Sequence, residues 1–168
     1  MSERGERTLV LLRHAKADRP AGVADPDRPL TTRGHADAAA AGAWLFRNGL
    51  RPELVICSPA KRTRQTWHGV AVALAAGEAP AVDYDQDLYD GGVAELLAQV
   101  RKADDAVRTI LLIGHNPSIS LLSAMLDPQR QPDSDGLRTS GLAVHRATTW
   151  AAFGDTDAEL TASHTARG

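Results

Sequence analysis

The sequence has 168 residues, 43% hydrophobic and 24% charged, with 19 basic and 21 acidic side chains giving a net charge of −2. That length suits one domain spanning 1–168 with a core over roughly 8–164, and the composition excludes disorder, collagen-like repeats and a disulfide scaffold. The charge balance excludes a broad basic face for nucleic acid or an anionic membrane, and the lone Cys57 suits a reducing, cytoplasmic setting.

The N-terminal stretch MSERGERTLVLLRH holds an apolar run of four residues, too short for a signal-peptide core or a membrane span. Residues 1–7 and the tail Thr165–Gly168 are polar or small, offer little to bury, and are expected to be mobile. Thr8–Leu12 (TLVLL) reads as a strand covered on both faces, because its apolar residues are continuous rather than alternating. Asp18–Pro29, rich in Asp, Pro and Arg, reads as a loop. A helix capped by Thr31 or Thr32 then runs to just before Gly49. Leu54–Cys57 is the second short apolar run. Ser58-Pro59 predicts a cap and first helical position for a helix reaching about Ala75. Ala81–Tyr84 is a candidate third strand, Val93–Arg101 a helix, Thr109–Ile113 a strand, and Ser118 to about Met125 another helix. Asp127–Arg138 contains two prolines, a glycine and three aspartates and reads as an exposed loop. Gly141–Arg146 and Ala158–His164 read as two late strands. Alternating strands and helices followed by paired strands predict an α/β fold. It is a three-layer α/β/α sandwich whose central sheet is mainly parallel with an antiparallel addition.

In such sheets ligands collect at the carboxyl ends of the strands, where loops lead into helix N-termini. Three ends carry notable residues. The first strand runs into Arg13-His14, the second into Ser58-Pro59-Ala60-Lys61-Arg62, and Thr109–Ile113 into Gly114-His115-Asn116-Pro117. Two histidines and two arginines from distant segments are thereby predicted at one sheet edge.

Taken in order, Arg13-His14, LTTRG (Leu30–Gly34), SPAKRTRQT (Ser58–Thr66) and GHNP (Gly114–Pro117) resemble the histidine phosphatase superfamily, which also contains the cofactor-dependent phosphoglycerate mutases. With Ala15 after the histidine and a short chain, the likeness is greatest to the SixA-type phosphohistidine phosphatase branch, over about Thr8–His164. The resemblance implies a phosphoglycerate mutase-like fold and a phosphatase working through a covalent phosphohistidine on His14. It implies that Arg13 and Arg62 clamp the phosphoryl group, a task suited to a planar fork of donors with permanent charge. It implies too that His115 contacts the transferred group and, if protonated, adds positive charge. The backbone N–H of Asn116 and the side chain of Lys16 are further candidates for binding or guiding the anion.

Many members carry a glutamate that protonates the leaving group, in a segment before the second histidine. The matching stretch here is Asp85–Glu95, where Asp90 is the candidate acid, Asp87 stands behind it, and a turn residue is the competing reading. A weak or absent acid favours a substrate whose leaving group is imidazole over one releasing a basic alkoxide. The expected substrate is therefore a phosphohistidine protein or a small phosphate compound. A mutase-like enzyme or general phosphomonoesterase is the alternative, and a phosphate-binding interaction module is the non-enzymatic one. No metal or other cofactor is expected. There is no cysteine cluster, helical His-x-x-x-His pair or glycine-rich phosphate loop. His35, His68, His145 and His164 are read as structural or solvent-facing, and Trp44, Trp67 and Trp150 as core.

Overall fold

A computed structural model describes residues 6–130 and 135–168. Its strands β1 (Arg7–Arg13), β2 (Leu54–Cys57), β3 (Ala81–Tyr84), β4 (Thr109–Gly114), β5 (Gly141–Ala147) and β6 (Glu159–Thr165) form one sheet in the order β3-β2-β4-β1-β5-β6. The pairs β1/β4, β2/β4 and β2/β3 are parallel, whereas β1/β5 and β5/β6 are antiparallel. The helices are α1 (Thr32–Arg47), α2 (Lys61–Ala73), a single turn α3 (Asp87–Asp90), α4 (Val93–Arg101) and α5 (Ser118–Leu126). This is the expected three-layer α/β/α sandwich.

Strand periodicity decides which residue enters which layer, since successive side chains point to opposite faces. Leu9 and Leu11 of β1, with Ile110 and Leu112 of β4, meet Leu96, Val100, Ile119, Leu122, Trp150 and Phe153 on one face. Val10 and Leu12, with Leu111 and Ile113, meet Ala41, Leu45, Trp67 and Val70 of α1 and α2 on the other. Both faces of β1 and β4 are thus buried, which explains their continuous apolar runs. Helices α1 and α2 approach closely enough that a Cβ at Gly42 would lie 2.6 Å from the Val70 carbonyl, so only glycine fits there.

Helix α1 begins as expected: Thr31 Oγ1 accepts from the Gly34 N–H at 2.9 Å. It ends on Gly49 at φ 67°, where Leu50 N–H reaches the Leu45 carbonyl at 2.9 Å, the glycine-terminated C-cap motif. Three expectations are corrected. Helix α2 starts at Lys61 and has no side-chain cap; Ser58 serves another partner, described below. Asp127 is buried, because its carboxylate accepts from the Leu160 N–H at 2.8 Å and so ties the end of α5 to β6. Within Thr165–Gly168, the chain end is held. Ala166 is buried and donates to the Ser140 carbonyl at 3.0 Å, and the Gly168 N–H donates to buried Asp37 of α1 at 2.9 Å. Arg7 likewise lies in β1, while residues 1–5 of the N-terminal expectation and 131–134 of the Asp127–Arg138 loop fall outside the described residues. Among the described residues, no helix is long and apolar enough to cross a membrane.

Candidate active site

The parallel register aligns the site. Arg13 is the last residue of β1 and pairs with Gly114, the last of β4, so His14 and His115 leave the sheet side by side. Their ring centroids are 5.2 Å apart. His14 is pinned at both ends of its backbone. Its N–H donates to the Gly114 carbonyl at 3.1 Å, and its own carbonyl accepts from the Ser140 N–H at 3.1 Å. Ser140 has the left-handed φ of 59° and its hydroxyl donates to the Asp37 carbonyl, so helix α1 and the end of strand β1 meet through it.

The His14 ring is held by one bond that fixes its tautomer. Nδ1 lies 2.7 Å from the Ala15 carbonyl oxygen, which can only accept, so Nδ1 carries the proton and Nε2 keeps its lone pair. Burial drives the pKa of His14 down to about 3, with the charges of His115, Arg62 and Arg13 adding to that and the Ala15 contact opposing it. The imidazole is neutral near pH 7. Ala15 is itself fixed: its N–H donates to Thr66 Oγ1 at 3.0 Å, and that hydroxyl donates to the Arg62 carbonyl at 2.8 Å.

His115 pairs through Nε2 with Ser58 Oγ at 2.8 Å, and the same hydroxyl accepts from the Ala60 N–H at 3.3 Å, two residues short of the helix's N-cap position at Ala60. Burial lowers the pKa of His115 to about 4; Arg62 and Arg13 push the same way and Asp25 pushes back. Near pH 7 this ring is neutral rather than charged, and the positive charge comes from the guanidiniums. Arg13 donates from Nη1 to the Leu137 carbonyl at 3.1 Å, and Asn116 donates from its side-chain amide to the same oxygen at 2.9 Å. Arg62, in the first turn of α2, is buried and donates from Nη1 to the Asp25 carbonyl at 2.8 Å and from Nη2 to Asp25 Oδ2 at 3.0 Å. Arg13 Nε, Arg62 Nε and His115 Nδ1 are buried without a hydrogen-bond partner among the described residues. The two guanidinium Nε donors left open at one sheet edge are what an incoming anion would satisfy.

The remaining expectations fall out as follows. Lys16 is exposed, and its main-chain carbonyl accepts from the Thr31 N–H at 3.0 Å; a Cβ at Gly34 would collide with that carbonyl. The Asp90 carboxylate accepts from Gln86 Nε2 at 3.2 Å, one turn back on its own segment. That segment reaches the site through Tyr89, whose ring edge meets His115 with centroids 5.6 Å apart and whose hydroxyl donates to Asp25 Oδ2 at 2.6 Å. Asp25, Tyr89 and Thr66 carry no role in the sequence-based expectations, and Ser58 figures there only as a helix cap. Ser58 and Thr66 delimit the SPAKRTRQT segment and Tyr89 neighbours Asp90, whereas Asp25 looks like any loop acid. His145 is buried between Ser123 and the Ala158 carbonyl, His164 stacks on Trp44, and His35 and His68 are exposed.

A mainly parallel three-layer sandwich, with two histidines and two guanidiniums converging at the carboxyl edge of its sheet, has the architecture of an enzyme that handles phosphoryl groups. The chain belongs to the histidine phosphatase superfamily: residues 9–92 match its branch 1, and the protein is a phosphatase of that class. An uncharacterized protein of Mycobacterium tuberculosis is 37% identical over 148 residues, spanning 83% of this chain and 90% of its own. A structure described as the phosphohistidine phosphatase SixA of Nakamurella multipartitia is 35% identical, with a TM-score of 0.84 over 96% of each chain. Another, described in the same way, from Agrobacterium tumefaciens is 30% identical, with a TM-score of 0.77 over 94% of this chain and 97% of its own.

Proposed function

We propose that the protein is a phosphohistidine phosphatase that transfers the phosphoryl group to His14 Nε2 and then to water. The observation that carries this reading is the Nδ1–Ala15 bond, which leaves a neutral ring with its lone pair on Nε2. In the first step Nε2 attacks phosphorus, an Nε2–P bond forms and the bond to the leaving group breaks, the leaving group taking the electron pair. In the second, water attacks phosphorus, the Nε2–P bond breaks, and its electron pair returns to Nε2. Arg13, Arg62 and His115 bind the phosphoryl oxygens throughout, and the two guanidiniums supply the charge that this transfer needs more than covalent help.

The leaving group is inferred from proton supply. The carboxylate in contact with Arg62 is Asp25. The Tyr89 hydroxyl above all, and then Arg62 and Arg28, hold it well below the usual carboxylate range against the cost of burial. It has no proton to give. Asp90 is engaged by Gln86, as described. An imidazole leaving group tolerates that shortage, whereas an alkoxide does not. The relatives described as phosphohistidine phosphatases support the same choice. A phosphorylated protein is the partner that this reading implies, and the cytoplasm is the setting proposed with it.

The test is phosphoenzyme trapping followed by a substrate comparison. Wild type should form an acid-labile, alkali-stable phosphoenzyme that His14→Ala abolishes, and should turn over a phosphohistidine peptide faster than an alkyl phosphate. A wild type that forms no such species refutes the nucleophile. Dominant ester hydrolysis that depends on Asp90 refutes the substrate class.

A further inference from the structure

Asp25 has no step in that reaction, yet it contacts three side chains from three parts of the chain. It opens the 3-10 turn Asp25–Asp27 in the connection from β1 to α1. Its Oδ2 accepts from both Arg62 Nη2 at 3.0 Å and Tyr89 Oη at 2.6 Å, its Oδ1 accepts from Arg28 Nη1 at 3.1 Å, and its main-chain carbonyl accepts from Arg62 Nη1 at 2.8 Å. Both terminal nitrogens of Arg62 therefore donate a hydrogen bond to the same residue. The Arg62 Nε proton, and the second proton on each terminal nitrogen, remain available.

Building on the reaction proposed above, we propose that Asp25 is a positioning residue. It fixes the rotation of the Arg62 guanidinium and holds the Tyr89 ring against His115, so that a phosphoryl group meets one set edge of the clamp.

Two physical features favour this role. A free arginine side chain samples many rotamers, and a two-point attachment to a planar fork removes that freedom before substrate arrives. Arg62 also sits in the first turn of α2, where the helix dipole opposes a cation; a carboxylate there offsets the conflict. The rival role is that of a resident anion, occupying the clamp until a phosphoryl group expels it. Asp25 is poorly suited to that. Tyr89 and Arg28 anchor it independently of Arg62, and its side chain is 47% exposed, so solvent screens its competition with an incoming anion.

The two roles predict opposite signs, which inorganic phosphate can read without turnover. Phosphate binding is titrated by calorimetry and by the Arg62 Nε–H resonance in wild type, Asp25→Ala and Asp25→Asn, with thermal unfolding confirming that each is folded. Positioning predicts that Asp25→Ala weakens phosphate binding about 10- to 100-fold, the loss expected for hydrogen bonds to a charged group. It lowers kcat/KM to a similar extent through both kcat and KM. Asp25→Asn should recover most of it, because its amide oxygen still accepts from Arg62. Unchanged or tighter phosphate binding in Asp25→Ala overturns the proposal. An Asp25→Asn variant no better than Asp25→Ala overturns it as well, since charge rather than position would then be what the residue supplies. Repeating the phosphate titrations in a His14→Ala background separates this test from the chemistry. Failure of wild type to form a phosphoenzyme would refute the His14 reaction and leave the Asp25 result standing on its own.

Discussion

Replacing Thr66 with valine tests how the site is held up. Valine keeps the shape and removes only the hydroxyl, which accepts from the Ala15 N–H at 3.0 Å and donates to the Arg62 carbonyl at 2.8 Å. Ala15 and Thr66 are both fully buried, so no water can replace the lost acceptor and the Ala15 N–H becomes an orphan donor. That penalty is about 2 kcal/mol, which for a chain of this size lowers Tm by about 4–8 °C. Catalysis should suffer beyond stability, because the Ala15 carbonyl is what orients the His14 ring. We expect kcat/KM to fall about tenfold at a temperature where the variant is fully folded. Calorimetric unfolding and steady-state kinetics measure the two effects, and Thr66→Ser, which retains the hydroxyl, is the control with near-normal activity. A Thr66→Val protein that matches wild type in Tm and kcat/KM would show that the Thr66 bridge carries neither load.

Acid should weaken the fold through its buried histidines. His14 and His115 titrate near 6.5 when unfolded but only at about 3 and about 4 when folded. Between those values the unfolded chain holds more protons, so stability falls as pH drops below the unfolded value, and it is pH-independent from this source above about 7. Each histidine contributes a loss of about 1.5–2 kcal/mol by pH 5. Denaturant titrations at pH 7.5 and 5 read it, His14→Gln should reduce the difference, and equal midpoints at both pH values would refute it. Removing Ala166–Gly168 should cost about 1–3 kcal/mol, because buried Asp37 then loses the Gly168 N–H and its ion pair with Arg167. Equilibrium unfolding of the truncated chain with an unshifted midpoint would argue against that anchoring role.

What the sequence made legible was local. The uninterrupted TLVLL and TILLI runs announced strands buried on both faces, and the residues directly following them, Arg13-His14 and Gly114-His115, had to emerge at the same edge. The residues that escaped notice act over long separations. Asp25 reaches Arg62 and Tyr89, and Thr66 reaches Ala15, across contacts that no periodicity or capping rule encodes. Local rules also fell short where a side chain has tertiary work. Ser58 followed by proline has the signature of a helix cap; its hydroxyl does take a local N–H, that of Ala60, but the helix starts at Lys61 and the same hydroxyl pairs with His115, 57 residues away. The tail looked dispensable because small polar residues carry little apolar surface, whereas the buried Asp37 that holds it has no sequence signature inside an alanine-rich helix.

The position of Cys57 gives the protein a built-in reporter. Its thiol is fully buried at the end of β2, next to Ser58, and burial raises its pKa to about 12. A closed molecule therefore offers neither access nor thiolate to an alkylating reagent. Modification has to wait for an opening of the core layer between β2 and helices α1 and α2, beside the serine that holds His115. With no second cysteine in the sequence to add background, the rate of thiol labelling counts those openings. Ligands that fill the site should slow that clock.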